Sequence, residues 1–207
     1  MADLTNLLAK GISTLKLSST EKQRTDLVEL VEQLLKWNKT YNLTAITNPT
    51  EVLKLHILDS LAVIPLIKSD NIVDIGTGPG FPGLPLAIML PQVKITLLDS
   101  NSKKIRFIRQ IVHSLDLDNV TVIHSRVEDY KIKKFSAIIS RAFASISDMV
   151  LLTQHLLSPD GSWLAMKGQY KKEELNYEEL GITEVAYTEL QIPGLDAERC
   201  LIEFKPR

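Results

Sequence analysis

The apolar positions change period part-way along the chain. Over residues 2–64 they recur at helical spacing. Leu27, Leu30, Val31, Leu34 and Leu35 line one face of a helix preceded by Ser18-Ser19-Thr20-Glu21, which reads as a capping box. Thr47-Asn48-Pro49 opens another helix, with Pro49 suited to its first turn. That helix carries Val52, Leu53, Ile57, Leu61 and Ile64 and is expected to stop at Pro65. From residue 71 onward, short β-branched runs alternate with helical stretches. Strands are predicted at 71–76, 93–99, 120–124, 135–140 and 162–166, and helices at 82–90, 102–115 and 147–157. Alternation at this spacing means βαβ units and a parallel sheet covered by helices on both faces. Right-handed crossovers then put every strand C-terminus on one edge, where ligands bind. The last two strands, 182–191 and 199–205, are joined through Pro193-Gly194-Leu195-Asp196. That link is too short for a helical crossover, so the pair is expected to be antiparallel. Residues 1–66 are expected to form a helical cap packed on a unit of residues 67–207, with no repeat or linker.

The stretch that organises the rest is residues 71–83. Ile72, Val73 and Ile75 suit a strand buried on both faces. The run breaks into Gly76, Gly78, Gly80 and Gly83, and an apolar segment follows. Strand, glycine turn and helix bring backbone N–H groups up to a ligand. Four glycines in eight residues are an entropic burden that a ligand-free turn does not need. Gly78-x-Gly80-x-x-Gly83 fits a dinucleotide fingerprint, and Asp74-x-Gly76-x-Gly78-x-Gly80 fits the first motif of S-adenosylmethionine (SAM) methyltransferases. The glycines alone do not choose between them. Asp99 ends the second strand, 25 residues after Asp74, where an acid can accept from both ribose hydroxyls of an adenosine cofactor. Its plainer role would be to cap the helix beginning near Ser102.

Composition narrows the class. At 44% hydrophobic and 24% charged, the 207 residues suit one soluble domain with a good core. The single cysteine, Cys200, removes an internal disulfide and any cysteine zinc site from consideration. His56, His113, His124 and His155 lack metal-ligand spacing and are expected to be structural or exposed; no metal is expected. Residues 1–10 lack a signal-peptide pattern, and no apolar run approaches a membrane span, so the expectation is a cytoplasmic monomer. The net charge of −1 does not suggest a polyanion binder, but its distribution does. Residues 101–141 carry nine basic against four acidic side chains, whereas 171–203 carry three against nine. The middle of the chain is therefore the candidate polyanion-facing surface.

Two strand ends complete the expected pocket. Ser125-Arg126-Val127-Glu128-Asp129 would lie beside an adenine, and Ser140-Arg141-Ala142-Phe143 would face a methyl acceptor. The chain lacks the Asn/Asp-Pro-Pro-Tyr/Phe loop of adenine amino methylation, and the cysteine nucleophile that methylation at a pyrimidine C5 needs could only be Cys200, on the last strand. No cluster of oxygen ligands for metal-dependent O-methylation stands out. An acceptor that needs neither base nor covalent help remains, and guanine N7 is one. Arg141 can bind the major-groove edge of guanine or a neighbouring phosphate. Otherwise it would pair with Asp99 or Glu128. Lys167, on the same edge, can hold a phosphate or be a solvated strand end. Residues 37–44, aromatics among amides, read from composition as a helix end with packing loop. A small nicotinamide-dependent oxidoreductase and a ribosome-binding module with an inactive fold are the competing readings. The oxidoreductase would need a second half for which the chain has no room.

The chain resembles the RsmG (GidB) family of bacterial 16S rRNA guanine-N7 methyltransferases. The resemblance is carried by Lys36 through Thr44, His56-Ile57-Leu58-Asp59-Ser60, Asp74 through Gly83, Leu97-Leu98-Asp99-Ser100, Ser125-Arg126-Val127-Glu128, Ser140 through Ser145, Lys167-Gly168-Gln169 and Glu198-Arg199. It implies a class I SAM-dependent methyltransferase (Rossmann-like) α/β fold with seven strands, and a guanine N7 acceptor in the 530 loop of 16S rRNA on the small ribosomal subunit. It implies cofactor contacts at Gly76, Phe81, Val127, Glu128 and Arg141, beside Asp74, Gly78, Gly80, Asp99 and Ser100 from the strand ends. Arg126, Arg141, Lys167 and Arg199 become the basic residues expected near RNA. It also implies that the 37–44 and 56–60 blocks do more than pack. Nothing is implied for the first ~20 residues.

Overall fold

The computed structural model describes residues 2–141, 143, 145–170 and 176–207. Ala142 and Ala144 of the strand-end motif, and the start of the acidic C-terminal stretch at 171–175, lie outside the described residues. The strands are β1 (Asn71–Ile75), β2 (Lys94–Asp99), β3 (Val120–His124), β4 (Phe135–Ser140), β5 (Leu157–Lys167), β6 (Ile182–Glu189) and β7 (Cys200–Pro206). They form one sheet in the order β3-β2-β1-β4-β5-β7-β6. Strands β1 to β5 run parallel. β7 enters antiparallel between β5 and β6, so the hairpin expected from the short Pro-Gly link is present. The order reverses between β1 and β4, and the crevice at such a switch is where open α/β sheets bind ligands.

The helices are α1 (Ala2–Thr14), α2 (Glu21–Tyr41), α3 (Pro49–Val52), α4 (Asp59–Leu61), α5 (Gly83–Met89), α6 (Ser102–Ser114) and α7 (Ile146–Thr153). A π-helical segment, Leu53–Leu58, joins α3 to α4 without a break. Such segments are rare and concentrate at functional sites. Asn48 caps α3 by accepting from the Thr50 and Glu51 amides, with Pro49 in the first turn, as the sequence predicts.

Three local expectations are corrected. The capping box lies two residues later than predicted: Thr20 accepts from the Gln23 amide while the Gln23 side chain accepts from the Thr20 amide. The helix of the second apolar repeat ends at Leu61, not at Pro65, which instead lies in the 3₁₀ turn Ile64–Leu66. β5 begins at Leu157, before the predicted Ser-Pro-Asp-Gly turn, because Leu157 pairs with Phe135 and the turn is absorbed as a bulge before Ser162 meets Ala137.

The sheet is buried on both sides. One face packs against the cap, α5 and α6, through Ile72, Leu97, Phe107, Leu34 and Leu61 among others. The other holds Val73, Ile138, Trp163, Met149 and Phe204. Trp37 of α2 meets Phe107 of α6 edge-on at 5.7 Å. Gln23 Nε2 donates to the carbonyls of Ile88 and Met89 at 3.0 and 3.2 Å, tying α2 to the free end of α5. The N-terminal helices and the sheet thus share a core.

Gly83 sits where this packing is tightest. A Cβ there would lie 2.0 Å from Leu97 Cδ2 and 2.9 Å from Asp74 Oδ2. Overpacking of this kind costs about 1–3 kcal/mol. Gly83→Ala is expected to lower the urea midpoint by a corresponding amount. An unchanged midpoint would show that the turn yields without cost.

Candidate active site

The glycine turn after β1 is held by two carboxylates. Asp74 is fully buried, and its Oδ2 accepts from the Thr77 hydroxyl at 2.6 Å and the Gly83 amide at 2.8 Å. Asp99 Oδ2 accepts from the Gly78 amide at 2.8 Å, and its Oδ1 from the Asn101 amide at 2.7 Å. Gly76, Gly78 and Gly80 have φ of 64°, 63° and 99°, which only glycine adopts readily. The cap of α6 is Asn101 and not Asp99, since Asn101 Oδ1 takes the Lys103 and Lys104 amides. The Asp99 carboxylate therefore keeps lone pairs facing the crevice.

Asp74 behaves differently from Asp99. Its Oδ1 is buried with no hydrogen-bond partner among the described residues. Burial pushes its carboxyl from 3.8 up to about 7, against the lowering effects of Thr77, Gly83 and the Arg141 charge. The structure thus places Asp74 behind the turn, as its brace.

Two cavities flank the switch point. One, of 280 Å³, is lined by Gly76, Asp99, Ser100, Val127 and Glu128, together with apolar Leu98 and Leu152. Half of the residues expected around an adenosine cofactor meet there; Asp74, Gly78, Gly80, Phe81 and Arg141 do not line it. Arg126 lines this cavity too, away from the other basic residues with which the sequence grouped it. The second, of 420 Å³, is lined by His56, Asp59, Arg141, Lys167 and Arg199, with Ile46, Leu55, Met166 and Leu190 as apolar walls. Gly76 and Arg141 follow directly on the paired strands β1 and β4, so the two cavities adjoin. Phe81 is buried against two residues of the larger one. His56 stacks on it at 4.7 Å and 10°, and the Arg141 guanidinium lies 5.9 Å from its ring centre.

Arg141 does not pair with Asp99 or Glu128. Its Nη1 donates to Asp59 Oδ2 at 2.8 Å and to the Leu55 carbonyl at 2.9 Å, and Nη2 meets His56 Nδ1 at 3.2 Å. The reason is topological: β4 lies beside β1 under the cap, and the Asp99 carboxylate is already engaged by two amides. Asp59 is 1% exposed, and its other oxygen accepts from Arg199 Nε at 3.1 Å. One buried carboxylate from the cap therefore joins a strand-end arginine to one from the C-terminal hairpin. Lys167 Nζ donates to the Phe143 carbonyl at 2.5 Å and is tethered, not solvated; burial lowers its pKa.

Composition and spacing gave Asp59 no role and placed His56 among structural or exposed histidines; the family resemblance alone marked their block, residues 56–60. His56 instead lines the cavity, its Nε2 2.9 Å from Thr44 Oγ1. Burial, then the Arg141 charge, lowers its pKa to about 4. The signal was an acid and a histidine three residues apart within an apolar helical stretch. The 37–44 block is a helix end, as composition suggested, but an ordered one. Asn38 binds both the amide and the carbonyl of Thr44 at 2.9 Å, and so sets the residue that meets His56.

The residues of the smaller cavity fit an adenosine cofactor. Gly78 leaves an open cradle, where an added Cβ would approach only Lys104 Nζ, at 3.9 Å. Asp99 offers acceptors for ribose hydroxyls, and Val127 and Leu98 offer apolar contact for a base. The strand order, the braced glycine turn and the paired cavities define a class I SAM-dependent methyltransferase. A crystallised glycopeptide N-methyltransferase, MtfA, in complex with S-adenosyl-L-homocysteine, shares the fold at TM-score 0.59 and 11% identity, over 73% of this chain and 90% of that one.

Sequence comparison goes further. The GidB family, rRNA small subunit methyltransferase G, matches residues 23–202, and the chain belongs to that family. The ribosomal RNA small subunit methyltransferase G of Aeromonas salmonicida is 51% identical over 187 residues, 90% of each chain. That of Klebsiella pneumoniae (MGH 78578) is 45% identical over 203 residues, 98% of each.

The buried Asp74 generates a pH prediction. A carboxyl raised in the fold contributes stability that is complete below its unfolded pKa of 3.8 and lost as pH rises through about 7. Asp74→Asn keeps an acceptor for Thr77 and Gly83 but does not ionise. Melting curves of both proteins from pH 4 to pH 8 should show the difference moving in favour of the variant as pH rises, then levelling. A constant difference would mean that Asp74 titrates normally.

Proposed function

We propose that this protein methylates N7 of a guanine in the 530 loop of 16S rRNA, with the acceptor base entering the larger cavity. That it is a SAM-dependent rRNA methyltransferase follows from its family and fold. The observation that carries the finer reading is the make-up of the larger cavity. It presents three cationic groups between apolar walls, immediately beside the cofactor cavity. Among the described residues it holds no free general base: Asp59 is committed to two arginines, His56 to Arg141 and Thr44, and Cys200, on the same wall, is a thiol whose pKa burial raises.

Guanine N7 suits such a site, because its lone pair is free at neutral pH and no proton has to leave before attack. When bound, S-adenosylmethionine supplies a methyl group on a sulfonium, which leaves as a neutral thioether when the acceptor takes the methyl. The chain supplies orientation. Asp99 and the Gly78 cradle would hold the cofactor's ribose, and Val127 and Glu128 the adenine. Arg141 keeps its Nε–H and one Nη2 hydrogen without a partner among the described residues, enough for the O6 edge of a guanine or an adjacent phosphate. Lys167 and Arg199 add phosphate contacts on the same rim. Asp59 offsets the charge of the cavity as the methylated base becomes cationic. No described helix is long and apolar enough to cross a membrane, and the reading places the protein in the cytoplasm with the ribosomal subunit.

Transfer of labelled methyl from SAM to 16S rRNA and to small subunits, both from a strain without the enzyme, tests the reading directly. Label should be recovered as 7-methylguanosine in the 530 loop; label at another base or atom would replace the proposed acceptor. Asp99→Ala should weaken SAM binding by about 2–4 kcal/mol in calorimetry, through loss of two charge-assisted hydrogen bonds. Unchanged affinity would remove Asp99 from the ribose site. Arg141→Ala should bind SAM but transfer no methyl, and normal turnover would take Arg141 out of the reaction.

A further inference from the structure

The cationic groups of the acceptor cavity are aimed by the N-terminal cap. Arg141 is anchored by three cap atoms: the Leu55 carbonyl, Asp59 Oδ2 and His56 Nδ1. The first two accept from the same nitrogen, Nη1. They fix where the guanidinium sits. Among the described residues His56 is the partner of Nη2, and as the third anchor, on the second nitrogen, it holds the planar fork against pivoting about Nη1. An arginine reads a guanine edge or a phosphate through that plane, and a turned fork loses its bidentate geometry.

The contact also fixes the state of the imidazole. A guanidinium can only donate, so Nδ1 must carry a lone pair. The ring proton then sits on Nε2 and is donated to Thr44 Oγ1. Thr44 in turn is held by both bonds to Asn38, and its hydroxyl also accepts from the Ile46 amide at 3.2 Å. A chain of contacts runs from the end of α2, through Thr44 and His56, to the strand-end arginine. Stacking on Phe81 holds the ring in plane. A neutral ring is what the chain requires, and burial beside Arg141 keeps it neutral.

We propose that His56, with its tautomer set by Thr44, is a positioning residue that turns the Arg141 guanidinium toward the methyl acceptor. The proposal deepens the reading above and rests on its assignment of Arg141 to the acceptor. It gives the 37–44 block of the cap a role at the reaction centre without contact with the acceptor.

Three variants of the full chain test it: Thr44→Val, His56→Ala and His56→Asn. Thr44→Val removes the hydroxyl at nearly constant volume and leaves Nε2–H unpartnered. The ring is then free to take the other tautomer, which repels Arg141. Turnover on small subunits should fall by on the order of 10- to 100-fold in Thr44→Val and His56→Ala, the scale of a misplaced catalytic group. SAM affinity in calorimetry should stay within about twofold, since neither residue lines the cofactor cavity. His56→Asn carries an acceptor where Nδ1 stands and should recover most of the turnover lost in His56→Ala. A merely structural role predicts no such recovery. Nitrogen NMR of the wild-type imidazole should show a bare Nδ1 and a protonated Nε2. Wild-type turnover in Thr44→Val, no advantage of His56→Asn over His56→Ala, or a protonated Nδ1 would each overturn the proposal. If the wild-type protein makes no 7-methylguanosine, the acceptor reading falls on its own, and the NMR still decides the state of the His56–Arg141 contact.

Discussion

The glycine turn after β1 is under restraint from both sides, and the rest of the site depends on that restraint. Three residues in the turn have positive φ, a conformation with many alternatives in the unfolded chain. Asp74 pulls the turn back onto the sheet through Thr77 and Gly83, and Asp99 draws the Gly78 amide toward β2. The two acids are not equivalent. The first is paid for in desolvation, with one oxygen left bare in the core. The second stands at the cavity wall with capacity for a ligand. Phe81, three residues beyond Gly78, inherits its place from this arrangement, and with it the surface on which His56 stacks.

The cap acts on the opposite side of the same crevice. Its π-helical segment puts His56 and the Leu55 carbonyl onto the end of β4, and Asp59 follows at the start of α4. A buried ion pair is weak evidence for stability, because desolvation consumes much of the attraction. The Asp59 cluster is better understood as an arrangement that holds two arginines close together while leaving donors for something else. Without the carboxylate, the two guanidiniums would repel across a cavity with apolar walls.

The seven strands and their crossovers were legible in the sequence, because buried parallel strands leave short β-branched runs bounded by glycine, proline and asparagine. The residues of the candidate site were legible for a related reason: Gly76, Asp99 and Arg141 each stand where such a run stops, and the two cavities lie along those strand ends. The partner of Arg141 was not. It comes from an element more than eighty residues earlier, and no periodicity within the sheet refers to it. The histidine and aspartate of the cap look like polar intrusions on an apolar helix until the fold brings β4 beneath them. Capping boundaries shifted for a local reason. Two overlapping Ser/Thr-x-x-Glu/Gln patterns compete at residues 18–23, and only the contact of Gln23 with the end of α5 favours the second.

The placement of β7 bears on when the enzyme can come alive. β7 is made after every other strand, yet it lies inside the sheet, between β5 and β6, with Arg199 immediately before it. Until that segment has left the exit tunnel, β5 has an open edge and Asp59 has only one of its two arginines. A chain truncated before residue 200 would lack the strand that joins β5 to β6.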